Sequence, residues 1–106
     1  MFSRNVSCKL KAKGTVEFTR ILEGEVIPLL RRQKGFDDAI SFIAAERNEA
    51  VVISLWDKKE DAEAYSQKIY PVFLKALANV IEGTPKLESF EVGNSTSHQV
   101  AASAVV

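Results

Sequence analysis

Residues 36–65 read FDDAISFIAAERNEAVVISLWDKKEDAEAY, and the fold turns on them. Over Phe36–Ala45 the side chains alternate, with Ile40 and Phe42 on one side and Ser41 and Ile43 on the other. That period of two predicts a strand, because successive side chains project to opposite faces of a sheet. Glu46-Arg47-Asn48-Glu49 reads as a polar turn. Ala50–Trp56 is β-branched and apolar on both faces, the pattern of a central strand covered on two sides. Two strands joined by a short polar stretch predict a hairpin. Asp57 then opens a helix, with Glu60 three residues on as a capping-box partner. Ala62, Tyr65 and Ile69 follow at helical spacing.

Upstream, Val6–Ala12 alternates as a half-buried strand, and Gly14 breaks it. Thr15 is the expected N-cap of a helix whose apolar stripe is Phe18, Ile21, Leu22, Val26 and Leu29. Pro28 lies inside that stripe and predicts a kink or tightened turn near Glu25. Arg31, Arg32 and Lys34 suit the negative end of the helix dipole, and Gly35 reads as the left-handed stop. Downstream, Pro71 is placed at the first position of a second helical piece, whose apolar face runs through Ile81 to a stop at Gly83. Pro85 enforces the exit, and Glu88–Val92 is expected as a last short strand.

The order is βαββαβ. It predicts an α+β, ferredoxin-like fold: a four-stranded antiparallel sheet with two helices on one face. Residues 1–95 form one expected domain, and the aperiodic residues 96–106 an expected C-terminal tail. The layout leaves one problem. Val51, Ile53 and Leu55 point one way from the sheet while Val52 and Trp56 point the other, and only one set lies under helices. The other would be an exposed apolar patch unless a second copy covers it, so a homodimer through sheet-to-sheet packing is expected.

Composition excludes several classes. With 14 Lys+Arg against 14 Asp+Glu, the 106 residues carry no net pull toward nucleic acid or an anionic membrane. One Cys and one His make neither an internal disulfide nor a four-ligand zinc site, so no metal is expected. The longest apolar runs are far short of a membrane span, and the first residues carry no apolar stretch of signal-peptide kind. A lone Cys8 fits a reducing compartment, so a cytoplasmic location is expected.

Individual residues divide on the same physical grounds. His98 lies in the expected tail, without the rigid partner a catalytic histidine needs. Cys8 has the pattern of a buried small hydrophobe. Lys9, Lys11 and Lys13 read as a solvated edge, without the interleaved aromatics that stack bases. The five glycines are too dispersed to cradle a phosphate. Trp56 closes an aliphatic strand next to a helix start, where a flat ring is either core or the wall of a pocket. A pocket of about 300 Å³ or more beside the ring would separate the two.

Three segments resemble the antibiotic biosynthesis monooxygenase-like family of the dimeric α+β-barrel superfamily: RRQKGFDDAISF, VVISLWDKKEDAEAY and FEVG, over roughly residues 2–93. The resemblance implies a homodimer whose sheets close a barrel. It also implies a cofactor-independent monooxygenase acting on a small aromatic, phenolic or quinol-type compound, with no metal and no other cofactor. By that resemblance Trp56 is the candidate catalytic residue, as pocket wall; Tyr65 would hydrogen-bond the substrate oxygen and Cys8 would line the base. A haem-degrading branch of the family uses a helix histidine. Here its place falls near Lys75, and no His precedes residue 98, so haem degradation is disfavoured. The alternative is a non-catalytic small-ligand-binding or stress-associated homodimer of the same fold, and a third reading is a purely structural dimerisation module.

Overall fold

The computed structural model describes residues 1–97. Most of the expected tail, with His98, lies outside the described residues. The elements run β1 (Phe2–Leu10), α1 (Thr15–Ile21), a π-turn (Leu22–Val26), α2 (Ile27–Arg31), β2 (Phe36–Ala44), β3 (Glu49–Trp56), α3 (Lys59–Lys68), α4 (Tyr70–Ala76) and β4 (Ile81–Glu91). The four strands form one antiparallel sheet in the order β2-β3-β1-β4. This is the βαββαβ arrangement expected from the alternation, with each helical crossover broken in two.

Parity decides what lies under the helices. Arg4, Val6, Cys8 and Leu10 on β1 and Ala50, Val52, Ser54 and Trp56 on β3 are all buried. They meet a helical layer whose inward residues include Phe18, Leu30, Phe73 and Leu77. The opposite parity faces outward. There Ile40, Ile53, Asn5 and Glu88 lie in one row across the sheet, and Phe42, Val51, Ser7 and Lys86 in the next. Ile40, Phe42 and Phe90 remain about half exposed on this face at 46%, 55% and 52%. The apolar patch inferred from Val51, Ile53 and Leu55 is present, and its weight falls on the β2–β3 half.

Several local expectations are corrected. β1 starts at Phe2 and ends at Leu10 rather than spanning Val6–Ala12, which brings Arg4 onto the helix-covered face. Thr15 is the first helical residue, with Gly14 as cap; its carbonyl accepts a 3.0 Å bond from the Thr19 hydroxyl. Pro28 does not tighten the helix. It lacks the amide that would bond the Gly24 carbonyl and its ring crowds that group, and the backbone widens into the π-turn over Leu22–Val26. Asp57 does not cap α3, which begins two residues later behind Lys58 with no side-chain cap. The Asp57 amide instead donates to the Gly35 carbonyl at 2.9 Å and ties the chain to the end of the sheet.

The largest correction is at the last strand. The helix expected to reach Gly83 ends at Ala76, and the amides of Val80 and Ile81 turn back to the Leu77 carbonyl at 2.9 and 3.0 Å. β4 then runs from Ile81 to Glu91 instead of the short Glu88–Val92. Gly83 has a φ of +74°, and the register with β1 shifts between Ser7 and Lys9. That irregularity on an edge strand is where Pro85, which has no amide to donate, is tolerated.

Candidate functional site

The site is built where the ends of β3 and β1 meet α3. Starting α3 at Lys59 places Ala62, Tyr65, Ser66 and Ile69 on one face, three and four residues apart. Trp56, the last residue of β3, projects up against that face and is fully buried. Tyr65 lies tilted against it at 5.2 Å between centroids and 33° between planes, and Phe36 meets it edge-on at 5.6 Å and 73°. Trp56 and Tyr65, paired from the sequence, are therefore in direct contact.

A polar chain runs alongside. The Trp56 indole N–H donates to Ser54 Oγ at 2.9 Å, and Ser54 Oγ donates to the Arg4 carbonyl at 3.4 Å. From the same residue, Arg4 Nε donates to Ser66 Oγ at 2.9 Å and to the Ala62 carbonyl at 3.2 Å. Ser66 also returns a 3.3 Å bond to Ala62. Contacts thus run from Trp56 through Ser54 and Arg4 to Ser66, whose chain neighbour Tyr65 lies against Trp56. Arg4, Ser54 and Ser66 were not anticipated. The available signal was parity, since Arg4 is in phase with Val6 and Cys8 once the strand is carried back to Phe2.

Cys8 lies further along β1 on the same covered face, paired with Ala50. Burial pushes its thiol up to about 11. Burial also pushes the Tyr65 phenol far above its ordinary range; Tyr70 and Cys8 add to this, and the Arg4 charge opposes it. Tyr70 shifts upward for the same first reason, with Cys8 adding. At neutral pH Cys8 is a thiol and Tyr65 a phenol, so the first is a poor nucleophile and the second a hydrogen-bond donor. Neither is a general base there.

The Tyr65 hydroxyl and the terminal nitrogens of Arg4 form no hydrogen bond among the described residues. The one sealed side-chain atom without a partner among them is Asn5 Oδ1, on the open face of the sheet. The Tyr65 hydroxyl and the Arg4 tip therefore reach solvent although both residues are nine-tenths buried or more.

Depressions lie elsewhere, those of about 320 Å³ beside Pro85 and about 390 Å³ beside Val72 being remote from Trp56. One of about 480 Å³ between α1 and the edge of β2 is lined by Thr15, Val16, Thr19, Arg20, Glu23 and Ile43. Another of about 310 Å³ is bordered by Cys8 with Ser7, Lys9, Glu49, Ala50 and Val51. Neither borders Trp56, whose ring is enclosed by protein. Among the described residues no three or more of His, Cys, Asp and Glu gather to hold a metal ion, and no helix is long and apolar enough to cross a membrane.

No known family profile and no curated protein matches the chain. Solved structures do. A monooxygenase from the gene ActVA-Orf6 of Streptomyces coelicolor, in complex with the ligand nanaomycin D, superposes with a TM-score of 0.74 at 16% identity, covering 92% of each chain. SnoaB, a cofactor-independent oxygenase from Streptomyces nogalater, gives 0.71 at 16% identity over 92% of this chain and 97% of its own. A Deinococcus radiodurans protein provisionally described as an antibiotic biosynthesis monooxygenase gives 0.70 at 14% identity, over 93% and 99%. The fold is that of the antibiotic biosynthesis monooxygenase structures, as the sequence resemblance implied.

Proposed function

We propose, from a fold shared with cofactor-independent oxygenases, that this chain is a cofactor-independent monooxygenase of a small aromatic, phenolic or quinol-type compound. The observation that carries the reading is the Tyr65 hydroxyl: buried against the Trp56 ring, protonated at neutral pH, and without a partner among the described residues. Such a donor suits the oxygen of a phenol passing to its anion. Trp56, itself enclosed, backs Tyr65 and fixes the position of the phenol that would meet the ligand. Cys8 lines the deeper end as a neutral apolar group. The substrate's anion supplies the electrons to O₂. One oxygen atom is retained on the ring carbon as a carbonyl, and the other leaves as water with the two hydrogens that carbon and substrate give up.

A pH profile tests this. With Cys8 and Tyr65 both protonated near neutrality, the deprotonation that matters is the substrate's own. Oxygen uptake is expected to rise with pH through a midpoint set by the substrate. Two quinols whose hydroxyl pKa values differ by about two units should give midpoints displaced by about two units. A shared midpoint would assign the proton to a protein base and overturn the scheme.

The enclosed Trp56 ring, bordered by none of the depressions described, favours the purely structural dimerisation module, which predicts no quinol binding at all. The other alternative is a non-catalytic small-ligand-binding homodimer of the same fold. It predicts a bound quinol recovered unchanged, with no oxygen consumed.

The dimer belongs to all three readings. Support comes from the apolar half of the open face, with Ile40 and Phe42 about half exposed. Sedimentation equilibrium on the full chain should give about twice 11.7 kDa. Phe42→Asp, at an exposed position, should return the mass to that of one chain with the fold retained. A wild-type monomer at about 100 µM would refute the sheet-to-sheet dimer.

A further inference from the structure

Arg4 carries a charge in a place where charge is costly. The residue is 9% exposed, and no carboxylate stands within ion-pair distance of it among the described residues. The ion pairs there join Arg20 to Glu17, Arg47 to Glu49 and Lys86 to Glu88, all on the surface. A buried cation ordinarily has an anion beside it, since desolvation costs several kcal/mol and a neutral hydrogen bond recovers only part of that. Arg4 has two neutral acceptors, Ser66 Oγ and the Ala62 carbonyl, and both take the same Nε–H. The four N–H groups at the tip have no protein acceptor among the described residues.

The tip is also reachable. On the helix-facing side of β4, Leu87 is half-buried but Ser89 and Glu91 are exposed, so the helical layer stops short of this edge strand. Ser89 is the register partner of Arg4. Glu91, one row on opposite Phe2, makes no ion pair with Arg4. Ser89 thus leaves open the edge beside Arg4, whose Nε is bonded to Ser66, the residue after Tyr65.

We propose that Arg4 is the specificity-determining residue of this site, holding a carboxylate on the aromatic ligand, so that the substrate class is phenols or quinols bearing a carboxyl group. This rests on the proposed oxygenase or ligand-binding reading and narrows it. A guanidinium offers two parallel N–H groups that match a carboxylate, and the pair needs no movement of the Nε bonds that tie Arg4 to α3. Tyr65 beside it then donates to a ring oxygen of the same ligand.

Trp56 is the sole tryptophan and lies 5.2 Å from the Tyr65 ring, so its fluorescence reports binding at Tyr65. Under argon, 1,4-dihydroxy-2-naphthoate should quench it with a Kd at least about tenfold below that of 1,4-dihydroxynaphthalene, as one charge-assisted hydrogen-bonded pair provides. The methyl ester of the acid, which keeps its size and loses its charge, should bind like the unsubstituted ring and needs no variant. Arg4→Gln should bring acid and unsubstituted ring to within about threefold, whereas Ser66→Ala, which leaves the cation in place, should keep the preference. Equal affinities for the three ligands on the wild-type protein overturn the role of Arg4 and leave the oxygenase reading standing. Failure of all three to bind overturns both.

Discussion

Trp56→Ala is expected to remove about 3–5 kcal/mol of stability, the range for deleting a large buried aromatic. A domain of this kind has about 5–15 kcal/mol in total, so the variant should be marginally folded at 37 °C. Three losses combine. The ring is fully buried, it supports Tyr65 and Phe36 at 5.2 and 5.6 Å, and its N–H holds Ser54 in the polar chain that reaches Arg4. Trp56→Phe separates packing from the hydrogen bond and should cost about 1–2 kcal/mol. Urea unfolding followed by far-UV circular dichroism measures both, since each variant lacks the fluorophore. A loss below 1 kcal/mol for the alanine variant would mean that the ring is not packed as described.

The second large effect is expected at Gly35. Its φ is +76°, a conformation that costs an L side chain, and a Cβ built there would collide with Asp61 Oδ2 and lie 2.8 Å from Asp61 Cβ. Gly35→Ala therefore meets both backbone strain and a collision with the first turn of α3. The expected loss is about 2–4 kcal/mol, from the unfavourable φ together with overpacking. Because Asp61 Cβ is part of the collision, Asp61→Ala should rescue little and Asp61→Gly more. A double-mutant cycle on urea midpoints reads the difference. Since the Gly35 carbonyl accepts from the Asp57 amide, the same change loosens the junction that sets where α3 begins, and with it the Tyr65–Trp56 contact. Full stability in Gly35→Ala would contradict this account.

Legibility followed the strength of the hydrophobic pattern. β3 was readable because its β-branched apolar run is nearly unbroken and β2 because Ile40, Ser41 and Phe42 alternate, and Tyr65 was readable beside Trp56 because a helix starting just after a strand end folds back over it. β4 was not, since Gly83 and Pro85 punctuate it like a loop; only pairing with β1 turns those residues into a strand with an irregular register. Thr15 and Asp57 have capping chemistry, yet tertiary contacts placed the helix starts elsewhere. The π-turn was visible only as a disturbance at Pro28, whose sign local sterics did not decide. Arg4 was hidden because one charged residue among Phe2, Val6 and Cys8 reads as the ragged start of a strand, and its burial depends on α3, which lies about sixty residues away in the sequence.

The two rims of the sheet differ in how safe they are. β4 is blunted by its irregular register, by Pro85 and by Lys86 and Glu88, so a further strand finds an interrupted row of donors there. β2 has an irregular register only at its start, between Phe36 and Asp38, and from there runs regularly to Ala44 with Ile40, Phe42 and Ile43 exposed and Asp37 and Asp38 at one end. The adhesive segment thus has its acidic residues confined to one end. With a net charge of zero there is little long-range repulsion to hold copies apart, so this rim is where association would begin as the protein is concentrated.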